Sequence, residues 1–337
     1  MKKESKCGLS GRRAFLAGAT GGLAAPLAFT RLAHGQDRSY PMRPVRVINA
    51  YSAGGPADIV CRVLCARLSQ VLGQQFVVEN RPGAAGTVAA AVAARSAGDG
   101  YTLFYDATAH TVNPSLFGPR LSYDTRRDLL PVFLSMIVPN TILVANNVPI
   151  RSVPELIAAA KAAPGKLDCS TTGVGAGPHL SLELFKYIAG LEINHVVYRD
   201  ISAAQNDLVA GRVPLQFSNV IASVPHLQAG TAKVIAHSGP VGPVKVLPDV
   251  PAIAETLVGF ETYEWNGFFA PAGTPGELIQ MLNTELNAAV RNPATVERLD
   301  GIGATTRPNT VEEFAAFREQ QFELHARVVR EANIRID

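Results

Sequence analysis

Short runs of β-branched and aromatic residues alternate with helical patterns, and this alternation constrains the fold more than any other feature of the chain. The segment 58–72 carries its apolar residues on one helical face, and Ser152 and Glu155 form a capping box that opens a helix over 156–163. Strands separated by helices predict parallel α/β sheets. The runs expected as strands are 45–51, 76–79, 101–105, 141–145, 167–171, 195–198, 215–217 and 234–236.

The chain has enough apolar residues for one large domain or two ordinary ones. Its 337 residues are 47% hydrophobic and 18% charged, which excludes an intrinsically disordered protein. The alternation is interrupted around 139–140 and again around 264–266. These interruptions predict two α/β domains, a discontinuous first domain over 40–140 plus 265–337 and a second over 141–264.

The first 35 residues have the pattern of an export signal. Arg12 and Arg13 precede an uncharged stretch rich in Ala and Gly, and small residues follow at Ala33 and Gly35. This pattern predicts a twin-arginine-type signal peptide over 1–35, cleaved near Gly35, and a periplasmic mature protein. A transmembrane anchor is the alternative, but the stretch is short and weakly apolar for that role.

The charge distribution argues against nucleic acid as a partner. Residues 1–35 carry a net charge of +5, so the remainder carries −2 although the whole chain has +3. A slightly acidic body without a basic run cannot neutralise phosphates. We expect no nucleic-acid partner.

No motif for a metal, a nucleotide or a catalytic nucleophile occurs in the sequence. The Walker-type, Gly-x-Ser-x-Gly and His-Glu-x-x-His patterns are absent, and the histidines lack metal-ligand spacing. Cys61, Cys65 and Cys169 are expected to be buried thiols. The sequence therefore predicts no cofactor, no metal and no catalytic residue. A periplasmic enzyme is nevertheless one hypothesis for the function, because twin-arginine export often serves cofactor proteins.

Two glycine-rich loops, 51–58 and 171–179, each follow an expected strand and precede an expected helix. Pro56 and Pro178 suit the first position of a helix, and the glycines allow close backbone approach to a ligand. The free N–H groups at such helix starts favour an anion. The two loops predict an anion clamp at an interdomain cleft, with ordinary tight turns as the alternative.

Two histidines near these loops are candidates for polar contacts. His179 is expected to cap the helix or bind a ligand rather than act as a base, because no nucleophile motif accompanies it. His110 is expected to line the cleft, or to be a plain surface histidine.

Ordered motifs from residue 40 almost to the C-terminus resemble the Bug-type periplasmic solute-binding receptors associated with tripartite tricarboxylate transporters. The matching segments are 40–41, 44–46, 53–58, 78–86, 99–103, 123–124, 131–132, 162–167, 179–180, 195–198, 248–251 and 270–275. The resemblance implies a type II periplasmic-binding-protein fold, with two α/β domains around a ligand cleft. It also implies hinge closure on a small ligand, usually a carboxylate, with no cofactor and no chemistry.

The resemblance carries ligand contacts over to the matching positions. They are Tyr51, Ser52, Ala53, Gly54, Gly55, Asp58, Thr108 and His110 in the first domain, and Thr171, Thr172, Gly173, Gly175, His179, Tyr198, Ser218 and Asn219 in the second. Two departures, at 198–204 and at Ser218, alter the second-domain wall, so no relative's ligand transfers directly. Arg199 either adds an anion contact or forms a surface salt bridge with Asp200.

The leading hypothesis is a monomeric receptor that captures a small carboxylate and delivers it to the membrane permease subunits of a tripartite tricarboxylate-type transporter. The alternative is a periplasmic sensor or orphan receptor that signals to a membrane partner. The sequence does not separate these two functions.

Overall fold

Nine strands form one curled, mixed sheet in the computed structural model, which describes residues 40–335. The strands are β1 (Val45–Asn49), β2 (Phe76–Asn80), β3 (Thr102–Ala107), β4 (Leu129–Val144), β5 (Asp168–Thr172), β6 (Asn194–Tyr198), β7 (Leu215–Asn219), β8 (Lys233–His237) and β9 (Tyr263–Pro271). The helices are α1 (Pro56–Leu72), α2 (Thr87–Ala94), α3 (Ala109–Phe117), α4 (Thr125–Asp128), α5 (Val153–Ala162), α6 (Gly177–Ala189), α7 (Ile201–Val209), α8 (Val220–Gln228), α9 (Gly276–Ala289), α10 (Pro293–Gly301) and α11 (Val311–Glu331). The predicted signal peptide lies outside the described residues.

The strand pairing is mixed, so the prediction of purely parallel sheets is wrong. β1 pairs in parallel with β2 and β3, and β5 pairs in parallel with β6 and β7, as strand–helix alternation indicates. β9 runs antiparallel to β3 and β4, and β4 runs antiparallel to β7 and β8. The sequence does not predict β9, because residues 264–266 interrupt the alternation, and it predicts only the end of β4.

β4 connects the two parts of the sheet. From Leu129 to Pro139 it pairs with β9, and from Asn140 to Val144 it pairs with β7. The change of partner falls at Pro139–Asn140, where the strand–helix alternation of the sequence is first interrupted. The domain boundaries drawn there stay a prediction.

The helices that the sequence predicted are present. α1 begins with Pro56 in its first turn and ends at Gly73, whose φ of 73° is the left-handed conformation that favours glycine. Ser152 caps α5 by accepting a hydrogen bond from Glu155 N (3.3 Å). The Glu155 carboxylate accepts from Arg151 N (2.7 Å) instead of from the cap residue, so the capping box is only half formed.

Apolar side chains fill the space between the helices and the sheet. Phe185 of α6 and Phe217 of β7 are fully buried in one cluster, and Trp265 of β9 is fully buried in another. The three described cysteines are buried and free, which confirms that prediction. Among residues 40–335, no helix combines the length and the apolar character that crossing a membrane requires.

Candidate functional site

A buried carboxylate holds the loop between β1 and α1. Asp58 is 2% exposed; its Oδ2 accepts hydrogen bonds from Gly54 N (2.9 Å) and Arg62 Nε (2.7 Å). Its Oδ1 accepts from the side-chain amides of Asn49 (3.2 Å) and Asn80 (2.7 Å). Burial opposes ionisation, but the hydrogen bonds from these groups hold the pKa of Asp58 below its usual value. Asp58 therefore positions the loop, and its charge is already compensated.

This loop presents two adjacent backbone donors. The N–H groups of Gly54 and Gly55 are bonded inside the loop, to Asp58 and to Ser52 O respectively. The N–H groups of Ser52 and Ala53 have no acceptor among the described residues. Gly54 has a φ of +77° and open space where a Cβ would stand, so the loop surface stays bare. An anion is the natural acceptor for such a pair of N–H groups.

The loop between β5 and α6 is more fully bonded than the sequence predicts. Gly173 N donates to a carbonyl at the end of β6 (3.1 Å), and Gly175 N donates to His179 Nδ1 (3.0 Å). His179 thus caps this loop from within α6. The N–H groups of Val174 and Ala176 have no acceptor within residues 40–335.

A carboxyl group of the protein itself lies at the amino end of α6. Glu264 Oε2 accepts a hydrogen bond from Gly177 N (2.9 Å). A Cβ at position 177 would overlap the Glu264 carboxyl, so the close approach requires glycine. Burial raises the pKa of Glu264 to about 8; the hydrogen bond from Gly177 N opposes this shift and the charge of Asp106 adds to it.

Glu264 is not among the site residues that the sequence predicts. One signal was available, because a single acidic residue inside the apolar run that became β9 needs a partner when it is buried. Its partner Gly177 is 87 residues away in the chain, so the sequence does not indicate which group satisfies it.

Polar side chains of β3 and α3 are buried behind the first loop. His110 is 1% exposed, stacks on Phe269 with ring centroids 4.0 Å apart, and has Nδ1 3.5 Å from Asp106 Oδ2. The suggestion that it is a surface histidine is therefore wrong. Burial lowers the pKa of His110, which keeps the ring neutral. The hydroxyl of Thr108 accepts a hydrogen bond from Trp265 N (3.2 Å) and ties α3 to β9.

The remaining predicted residues of the second part of the sheet are engaged in local hydrogen bonds. The Tyr198 hydroxyl donates to Asp207 Oδ2 of α7 (2.6 Å). Asn219 caps α8 by accepting from the N–H of Ala222 (3.1 Å), and Ser218 beside it is buried on β7. Thr172 ends β5 and is half-buried.

Asp200 has a role that the sequence analysis did not foresee. Its carboxylate caps α7, accepting from Ser202 N (2.9 Å) and Ala203 N (3.2 Å). Among the described residues it forms no ion pair with Arg199, so the salt bridge suggested from the sequence is wrong.

Two histidines stack beside the second loop. The rings of His179 on α6 and His195 on β6 have centroids 4.3 Å apart, and His195 Nε2 is 2.6 Å from Thr171 Oγ1. Burial lowers the pKa of His179 to about 3 and that of His195 to about 4, and each is lowered further by nearby positive charge. Both rings are therefore neutral at physiological pH.

The same pair and Glu183 form the group that comes nearest to a metal site, with possible ligand atoms within 4.8 Å of one another. The hydrogen bonds argue against a metal. His179 Nδ1 accepts from Gly175 N, so Nε2 carries the ring proton and has no lone pair to offer. Lys186 Nζ donates to both carboxylate oxygens of Glu183 at 2.9 Å. These residues fit a hydrogen-bonded cluster better than a cation centre.

The predicted site residues lie at the ends of β1, β3, β5, β6 and β7 and in the loops and helix starts that follow. The two parts of the site are linked through β9, where Glu264 Oε2 accepts from Gly177 N and Trp265 N donates to Thr108 Oγ1. Surface depressions of about 560 and 410 Å³ lie elsewhere, beside β2 and beside β8, and no predicted site residue lines them. The candidate site is thus defined by its converging loops.

Comparisons with known proteins agree over most of the chain. Residues 60–334 match the model of the tripartite tricarboxylate transporter family receptor. BugT from Bordetella pertussis is 32% identical over 320 residues, covering 94% of this chain and 95% of BugT. The structure of R. palustris Rpa4515 with adipate has a TM-score of 0.84 and 33% identity, covering 88% of this chain and 99% of that one. MatC from Rhodopseudomonas palustris with bound malate has a TM-score of 0.81 and 29% identity, covering 86% and 100%.

Proposed function

The chain belongs to the tripartite tricarboxylate transporter family of receptors, and from this premise we propose that it captures a small carboxylate-bearing solute between the loops 51–55 and 171–177. The fold is that of the two-domain, type II-like periplasmic solute-binding proteins, and the family members are receptors rather than enzymes. The observation that carries the proposal is the pair of unbonded N–H groups at Ser52 and Ala53. Two similar proteins were solved with dicarboxylates, adipate and malate.

The ligand carboxylate accepts hydrogen bonds from the backbone of the first loop, which Asp58 holds in place. The ligand then bridges to the second loop and favours a closed form of the receptor. The change of strand partner at Pro139–Asn140 in β4 is the position at which the two parts of the sheet pivot in this proposal. The halves that move are 40–140 plus 265–337 and 141–264.

The captured solute is delivered in the periplasm to the permease subunits of a tripartite tricarboxylate-type transporter. The family match and the predicted signal peptide support this part of the proposal. The receptor acts as a monomer, with one ligand per chain.

Thermal unfolding of the mature protein against mono-, di- and tricarboxylates, aromatic acids and neutral amides tests the proposal. A ligand at about 100 times its Kd stabilises the fold by roughly 2.7 kcal/mol, a visible shift in Tm. Small-angle scattering with the same ligand should show compaction. No shift with any acid, for protein shown to be folded and ligand-free, contradicts carboxylate capture.

A matched pair of glycine variants locates the site. Gly54 and Gly73 have φ values of 77° and 73°, and both have open space where a Cβ would stand. Gly54→Val and Gly73→Val therefore carry similar backbone strain, at opposite ends of α1. Only Gly54→Val should weaken ligand binding, by at least about tenfold, because only it covers the donors of the first loop. Equal affinities in the two variants would place the site elsewhere.

A further inference from the structure

Glu264 is a buried acid that joins the two halves of the candidate site. It lies on β9, is 6% exposed, and accepts a hydrogen bond from Gly177 N at the start of α6. The next residue, Trp265, donates its N–H to Thr108 Oγ1 just before α3. No ion pair within residues 40–335 involves it. The titratable groups that face it are Asp106 and Tyr105 of β3 and Tyr51 of the first loop, all acids. A negative charge on Glu264 is thus uncompensated by any cation of the described residues.

The first loop (51–55) and the second loop (171–177) therefore present different charge environments to a ligand. At the first loop the buried carboxylate, Asp58, is paired with Arg62 at 2.7 Å, so a ligand carboxylate there meets bare N–H groups and a compensated charge. At the second loop the amino end of α6 is already bonded to Glu264. Asp106 Oδ2 nearby makes no hydrogen bond among the described residues, and the neutral His110 ring at 3.5 Å gives it no positive charge.

A second ligand carboxylate would have to lie close to Glu264. The unbonded N–H nearest to the start of α6 belongs to Ala176, one residue before Gly177, whose N–H Glu264 holds. Ala176 is the N-cap residue of α6, so an anion on its N–H would lie at the same helix end as the Glu264 carboxyl. Two negative charges at one buried helix end repel each other when no cation lies between them.

We propose that Glu264 selects ligands by the charge of the end that faces α6. A ligand whose far end is a carboxylate binds only while Glu264 holds a proton, whereas a hydroxyl or amide end binds in either state. The preferred class is therefore a carboxylate with a neutral polar far end. This inference rests on the proposed function. It adds a selection between ligands with a charged far end and ligands with a neutral far end, which carboxylate capture alone does not require.

The test compares a dicarboxylate with its half-amide at constant length. Adipate and adipamate, and succinate and succinamate, are titrated into the wild-type protein by calorimetry at pH 7 and pH 9. A ligand that requires protonated Glu264, with a pKa of about 8, loses about tenfold in affinity between these pH values. The Kd ratio of dicarboxylate to half-amide should therefore rise about tenfold.

Variants assign the effect to this residue. Glu264→Gln keeps an oxygen acceptor for Gly177 N and cannot ionise, so the ratio should no longer depend on pH. Glu261→Gln, an exposed site three residues earlier, should behave like the wild type. The same tenfold rise in Glu264→Gln, or a constant ratio in the wild type, would overturn the assignment.

Proton uptake gives a second readout that needs no variant. Titration at pH 9 in two buffers of different ionisation enthalpy should show close to one proton taken up with the dicarboxylate and almost none with the half-amide. Equal uptake for both ligands contradicts the selection by Glu264 but leaves carboxylate capture standing. If no acid binds at either pH, the proposed function fails and this inference fails with it.

Discussion

Asp58→Ala tests the claim that one buried carboxylate organises the first loop. The substitution removes the acceptor of four hydrogen bonds, from Gly54, Arg62, Asn49 and Asn80. Gly54 and the half-exposed Arg62 regain water, but Asn49 is fully buried and loses an acceptor. The buried amide of Asn49, left without an acceptor, costs about 1–3 kcal/mol, and the lost charge-assisted bonds to Asp58 cost a similar amount. The unfolding free energy should therefore fall by about 3 kcal/mol. At ~2.1 cal/mol/K per residue over about 300 residues, Tm should fall by about 5 °C.

The assay is urea unfolding at pH 7, with Asp207→Ala as the matched control. Asp207 also binds an arginine, Arg212, but its side chain is 27% exposed whereas that of Asp58 is 3% exposed. The control should lose less unfolding free energy than Asp58→Ala, because solvent screens the exposed pair. Asp58→Ala should also weaken carboxylate binding, because the N–H of Gly54 loses its anchor. A loss of stability no greater than that of Asp207→Ala would refute the reasoning.

Two further outcomes are expected. Tyr198→Phe should change carboxylate affinity by less than about twofold in calorimetry, because the hydroxyl is bonded to Asp207; a tenfold loss would make Tyr198 a ligand contact. The unfolding free energy should fall between pH 6.5 and 4, since His179 and His195 stay neutral in the fold and bind protons when unfolded. Each histidine contributes up to ~1.4 kcal/mol per pH unit to this fall. His195→Gln should reduce the pH dependence of the unfolding free energy, measured by urea unfolding at pH 7 and pH 5, by the equivalent of about one proton.

The sequence pattern predicted the parallel elements well and the antiparallel ones poorly. All eight expected strands coincide with or overlap observed ones, because β-branched runs between helices are a local signal. β4 is buried along almost its whole length and contains Pro131 and Pro139, so it shows neither alternation nor an uninterrupted run. β9 is likewise buried on both faces. Only the folded sheet gives these two strands their partners.

The sequence predicted the positions of the two loops of the candidate site better than it predicted their hydrogen-bond partners. The two glycine-rich loops lie at strand ends before helices, as their Gly and Pro residues indicated. The hydrogen-bond partners within them came from elsewhere in the chain, as Asn80 does for Asp58 and Glu264 for Gly177. Such pairings depend on which strands become neighbours, and no local pattern encodes that.

The pairing of β3 with β9 also has a consequence for the order of synthesis. Asn266 of β9 reaches back to Asp106 of β3 across 160 residues of chain. At roughly 5–20 residues per second, a ribosome needs about 10 to 30 s to make the intervening segment. For that time β3 has an unpaired edge on a nascent chain whose first three strands are already complete. Any factor that shields an exposed strand edge would act on this protein in that interval, before the sheet is joined.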